Sequence, residues 1–171
     1  QFTDYNTVVN AYHYEALKNM SYISLALSNI SDHIFYKEQA QKQLQVVNKH
    51  LIHPKTKLYT DGTETTHNSL HANMFTLAFK MVPVKNISYV ANFIRSRGMA
   101  CSVYGSQFLL DAIYNANDAD YGLELLTSTT ERSWYNMIRS GSTISMEAWD
   151  NKYKPNQDWN HAWGATPANL I

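Results

Sequence analysis

Thr66-His-Asn-Ser-Leu-His-Ala-Asn-Met-Phe-Thr-Leu-Ala-Phe-Lys-Met-Val-Pro83 is the stretch that decides the fold class. Leu70, Met74, Leu77 and Met81 recur every three or four residues, which puts them on one side of a helix. A half-buried strand would alternate with period two, and this run does not. Pro83 stops it, because proline lacks the N–H that the next helical turn needs.

The same period extends in both directions. Upstream, Val9, Tyr12, Ala16, Met20, Ile23 and Leu27 make one apolar stripe on a long first helix. Ser31 or Asp32 can cap a second helix, where Ala40, Leu44, Val47 and Leu51 form the stripe. Pro54 and the Asp61-Gly62 pair mark a connection that is long for a helical protein. Downstream, Ile87, Val90, Ala91 and Ile94 form a fourth helix stopped by Gly98, and Phe108, Leu109, Ala112 and Ile113 a fifth. Asp118 begins a sixth that contains Tyr121 and Leu125. Ser128 and Glu131 have capping-box spacing ahead of Trp134 and Ile138. The reading is all-α: six or seven helices of roughly 10–20 residues in successive antiparallel pairs. No repeat, low-complexity tract or interdomain linker interrupts residues 1–171.

Composition sets the bounds. At 171 residues, 44% hydrophobic and 16% charged, the chain suits one globular domain. Fourteen basic residues balance fourteen acidic ones, so no global field favours nucleic acid or an anionic membrane, and neither is expected as a partner. No apolar run approaches the roughly 20 residues that span a bilayer. Gln1 to Tyr5 lack the basic start and apolar core of a signal peptide, as expected of a processed chain or an internal piece. Cys101 is the single cysteine, which rules out an intrachain disulfide and leaves the compartment open. Sequons begin at Asn19, Asn29 and Asn86, a pattern that also arises by chance. Tyrosine occurs 12 times, and all four tryptophans follow residue 130. Their flat apolar faces with a polar edge suit core packing and sugar stacking alike.

From Gly141 the helical period is lost, and polar, acidic and aromatic residues crowd together. Loops that escape the packing pattern are where function tends to reside. Glu147 lies between Met146 and Trp149; such an acid can hold a water for attack, or simply pair with Lys152 or Lys154. His161, between Trp159 and Trp163, can bond a sugar hydroxyl or satisfy a backbone carbonyl. His67 and His71 are four apart and could share a helix face, but no glutamate follows His67 as a zinc-protease motif requires. Helix-end or loop contacts suit that pair better than metal. No glycine-rich phosphate loop and no recognisable setting for a thiol nucleophile occur, so no metal or cofactor is expected.

Ser145-Met-Glu-Ala-Trp-Asp150, followed by Lys154-Pro-Asn-Gln-Asp-Trp-Asn-His-Ala-Trp-Gly-Ala-Thr-Pro-Ala168, closely resembles the end of the catalytic domain of α-L-rhamnosidases of glycoside hydrolase family 78. Val8 to Leu17, Thr65 to Pro83 and Gly98 to Leu110 agree with that family in type and order, so the resemblance covers nearly the whole chain. It implies an alpha/alpha barrel of six helical hairpins, of which three to four would lie here, and a rhamnose-containing carbohydrate as partner. It also implies hydrolysis of terminal α-L-rhamnose with inversion, with Glu147 as general base and His161 as a sugar contact; the competing readings are another six-hairpin sugar hydrolase and a non-catalytic carbohydrate-binding helical module. Trp149, Trp159 and Trp163 become candidate pocket walls by proximity to those two.

One departure matters. The family's general acid lies in an upstream acidic motif that this sequence lacks, so residues 1–171 are expected to be the C-terminal portion of the catalytic domain and inactive alone. Apolar stripes meant for absent hairpins would then face water and drive self-association.

Overall fold

The computed structural model describes residues 3–170. Among them are eight α-helices: α1 (Thr7–Ala26), α2 (Ile30–His50), α3 (Leu70–Ala78), α4 (Ile87–Arg97), α5 (Gly105–Asn115), α6 (Ala119–Leu126), α7 (Trp134–Arg139) and α8 (Thr166–Leu170). The only extended pairings there are isolated bridges, Asn6 with Gly62 and Ile52 with Tyr59. The fold class is therefore all-α. The helices are less even than the sequence suggests, with 20 and 21 residues in α1 and α2 but nine in α3 and six in α7.

Sequence-adjacent helices pack as hairpins, α1 on α2, α3 on α4 and α5 on α6. Alternate helices form a second set of contacts, α1 on α3 and α3 on α5, and α5 also touches α8. The result is a row of helices backed by their hairpin partners.

Helix ends follow local chemistry. The side chains of Asn6, Asn29, Ser69 and Ser133 accept hydrogen bonds from the backbone N–H three residues on, filling donors that the first turn cannot satisfy. The cap of α2 is thus Asn29, not Ser31 or Asp32, and that of α7 is Ser133 rather than Ser128. Ser128 instead turns its hydroxyl to Thr130, and Glu131 engages Tyr153 and Lys152. Gly98 ends α4 at φ 57°, a left-handed conformation that costs glycine little. The third helix begins at Leu70 because Thr65 to Ser69 are held outside it. There, buried Asp61 accepts bonds from the Ser69 N–H (2.9 Å) and the His67 ring (2.6 Å).

The core is centred on α3 and α5, where Leu70, Met74, Leu77, Leu109, Leu110 and Ile113 are buried with Met81, Val90 and Ile94. α1 behaves differently. Its buried residues are Thr7, Ala11, Ser21 and Ser24, while Val9, Met20, Ile23 and Leu27 of the apolar stripe are exposed, Ile23 at 52% and Leu27 at 75%. The periodicity is real, but the face it defines points mostly outward; only Tyr12 of the stripe turns in, its ring 5.0 Å from that of Phe75 and 5.1 Å from that of Phe79. No helix among the described residues is long and apolar enough to cross a membrane.

Candidate functional site

After α7 the chain turns back along itself without becoming a strand. The His161 N–H donates to the Ser145 carbonyl at 2.9 Å, and the Ser145 hydroxyl donates to the His161 carbonyl at 2.7 Å. Two residues on, the Glu147 N–H donates to the Asp158 carbonyl at 3.0 Å. These rungs bring a glutamate and a histidine 14 positions apart in sequence to the same place. Gly164 makes the approach feasible, since a Cβ there would sit 2.8 Å from the Ser145 Cβ and 2.9 Å from the Met146 carbonyl oxygen. Its own carbonyl accepts the Trp134 indole N–H at 2.7 Å.

Met146 and Trp149, on either side of Glu147, are sunk into the core, Trp149 at 3% exposure. The Trp149 indole donates to the Cys101 carbonyl at 2.8 Å and meets Trp134 edge-on, with centroids 5.0 Å apart. A glutamate between two such anchors has its backbone fixed.

The Glu147 carboxylate is held at both oxygens. One forms an ion pair with the Lys154 ammonium, and the other accepts the Asp158 N–H at 3.2 Å. These two bonds hold its carboxyl below the usual carboxylate range, outweighing partial desolvation, with further help from the nearby His161. The side chain is therefore ionised at neutral pH. A carboxylate offers about four lone-pair sites, so two protein bonds leave room to hold a water or hydroxyl. The sequence left open whether Glu147 simply pairs with Lys152 or Lys154. It pairs with Lys154, while Lys152 pairs with Glu131.

Glu147 opens onto a cleft of about 480 Å³, also lined by His71, Arg132, Trp149, Tyr153 and Lys154, with Ala100 to Val103 along one side. That volume lies within the usual range of small-ligand sites. Burial pushes the His71 imidazole down from its ordinary value, against the pull of Asp61, so it is neutral at pH 7. His67 points elsewhere, to Asp61, and the two histidines do not form a metal pair.

The remaining sequence candidates divide. One donor atom each from Glu147, Asp158 and His161 lies within 4.8 Å of the others, the sole grouping of three potential metal ligands among the described residues. Three such donors with Lys154 already on the glutamate fall well short of the six to eight oxygens calcium takes. His161 also packs on Trp163 at 4.5 Å between centroids, and Trp163 packs on Tyr104 at 5.1 Å. Trp163, 54% exposed, lies with Tyr104, Gln107 and Asn169 along a neighbouring cleft of about 250 Å³, on the His161 side of Glu147. Trp159 is 42% exposed and lines neither cleft. Arg132, Tyr153 and Tyr104 carry no motif in the sequence; the helical period of Tyr104 with Phe108 was the one available hint.

A search of curated proteins found no match. A family model described as the bacterial alpha-L-rhamnosidase six-hairpin glycosidase domain matches residues 1–171, taking in the hairpin row and the whole loop that joins Glu147 to His161. With helix following helix in pairs and a carboxylate beside a sugar-sized cleft, the chain belongs to that glycosidase domain family.

Proposed function

We propose that this domain hydrolyses terminal α-L-rhamnose with inversion, and that Glu147 is its general base. The observation that carries the reading is the setting of Glu147: ionised by Lys154 and the Asp158 N–H, fixed between buried Met146 and Trp149, and facing a cleft. An ionised carboxylate can take a proton from water but cannot donate one, which suits the base and excludes the acid. Water held by Glu147 attacks the anomeric carbon, and the leaving oxygen departs from the opposite face of the sugar. His161, braced by Ser145 and Trp163, bonds the sugar hydroxyls; Trp163 and Tyr104 supply a stacking face and Trp149 the cleft floor, while Trp159, which lines neither cleft, has no part in the reading.

Inversion also needs a general acid roughly 6.5–9.5 Å from the base. Among the described residues the Glu147 cleft has no second carboxylate in its lining, and Asp158, with a donor atom within 4.8 Å of one of Glu147, is too close. The reading therefore places the acid outside residues 1–171, makes these residues the C-terminal portion of the catalytic domain, and expects them to be inactive alone. The outward stripe of α1 supports this, as a surface for further hairpins. Without them we expect the stripe to drive self-association, and a clean monomer in sedimentation at micromolar concentration would count against that.

The test is release of nitrophenol from an aryl α-L-rhamnoside by residues 1–171 and by the protein at full natural length. Activity in the longer protein alone is expected, with Glu147→Gln lowering kcat by about 10²–10⁴-fold. NMR of the first-formed sugar should show the β anomer; an α product would refute inversion. Unchanged turnover in Glu147→Gln would show that another residue activates the water, and no release of nitrophenol from either protein would point to a barrel that binds sugar without cutting it.

A further inference from the structure

We propose that the cleft beside Glu147 receives, next to the terminal rhamnose, a negatively charged sugar that carries it, and that Arg132 is the residue that pairs with the carboxylate or sulfate of that second sugar. The proposal rests on the glycosidase reading above and names the substrate class for the same site.

The argument is an account of charge. Four titratable side chains that carry or can carry charge at neutral pH line the cleft: His71, Arg132, Glu147 and Lys154. Glu147 and Lys154 cancel each other in an ion pair. Burial keeps His71 neutral. Arg132 remains, and the cleft carries a net positive charge.

The nearby acids are committed elsewhere. Glu131 binds Lys152 and the Tyr153 hydroxyl, and Asp150 accepts from Asn136 at 3.0 Å and from the Lys152 N–H at 3.1 Å. Among the described residues Arg132 donates only to neutral oxygens: Nε to the Tyr153 hydroxyl at 3.2 Å and Nη1 to the Met99 carbonyl at 3.4 Å. Arg95 shows what an arginine satisfied by this protein looks like. It grips both oxygens of Asp118 through Nη2 at 2.9 Å, with Glu124 close by.

Arg132 is also preorganised. Its guanidinium lies 4.8 Å from the centroid of the Tyr153 ring, and the same tyrosine takes its Nε–H. A guanidinium has five N–H donors, and a fork held in place loses little freedom when it meets a carboxylate or sulfate. A neutral sugar would leave that charge with only hydroxyl partners. An acidic one would complete it, in the stronger charge-assisted form.

The probes are methyl glucuronoside, methyl glucoside 6-sulfate and uncharged methyl glucoside, titrated into the protein at full natural length and followed by calorimetry. We expect at least one anionic probe to bind about tenfold or more tighter than the neutral one, with the advantage falling as salt rises. The stronger of the two anions identifies carboxylate or sulfate as the group recognised. Arg132→Gln should bring the anionic-to-neutral ratio of affinities close to one. Equal affinity for all three probes overturns the proposal, as does an Arg132→Gln protein that weakens charged and neutral probes alike, the signature of a merely structural arginine. None of these readouts involves bond cleavage. Failure to cut an aryl rhamnoside defeats the rhamnosidase reading, and failure to prefer the anion defeats this one.

Discussion

α3 and α1 both carry apolar residues at helical spacing, yet they use them in opposite ways. Every residue of α3 from Ala72 to Leu77 is buried, including Asn73 and Thr76, whose side chains bond backbone carbonyls. α1 buries threonine, alanine and serine and turns Val9, Met20, Ile23 and Leu27 to the outside. Small residues let α1 lie close against α2, where Ser21 reaches His33 at 3.0 Å, and leave its larger side chains for another surface. Periodicity thus reports that a helix has an apolar face. It does not report whether the covering element lies in the same stretch of chain.

The sharpest way to break that comparison is to attack the packed side. Trp149→Ala removes a buried indole and its bond to Cys101, and should cost about 3–5 kcal/mol in urea unfolding. It should weaken activity through the displaced Glu147 as well. Next, Met74→Ala and Ile23→Ala form a matched pair. The first should cost about 2–5 kcal/mol as a core truncation. The second should stay within about 0.5 kcal/mol in dilute solution, where its side chain is already in water. A larger loss for Ile23→Ala that appears only at high concentration would reveal a covered stripe. The smallest effect tests the site. Lys154→Gln removes the principal cause of the lowered Glu147 pKa, so the acid limb of kcat/KM in the full-length protein should move to higher pH. The sign follows from the base having to be ionised: with the ammonium gone, protonation of Glu147 sets in sooner as pH falls.

Much of this was legible in the residues. The stripes of α4 to α6 and the stop at Gly98 lie where spacing puts them, because those helices cover one another; α3 instead ends at Ala78, ahead of Pro83, where the chain turns through Lys80 at φ 60°, and Met81 is buried from outside the helix. The caps of α2 and α7 were misread, since several serines, aspartates and asparagines compete near each start and only backbone geometry selects Asn29 and Ser133. Glu147 and His161 could be named because they stand in a recognisable string of residues. Arg132 and Tyr153 could not. Their contact spans 21 positions of irregular chain, and no period or motif encodes a meeting of that kind.

The partner of the candidate base sits on the exposed tip of its loop. Residues 151–156 are largely open to solvent, and the tip is closed off beneath by the Ala148 N–H donating to the Gln157 side chain at 2.7 Å. Lys154 is therefore carried by a segment with little role in holding the helices together, while Glu147 is anchored in the core. Evolution, or an engineer, can retune the working pH of such a base by rewriting a surface loop, with no compensating change in the barrel that supports it.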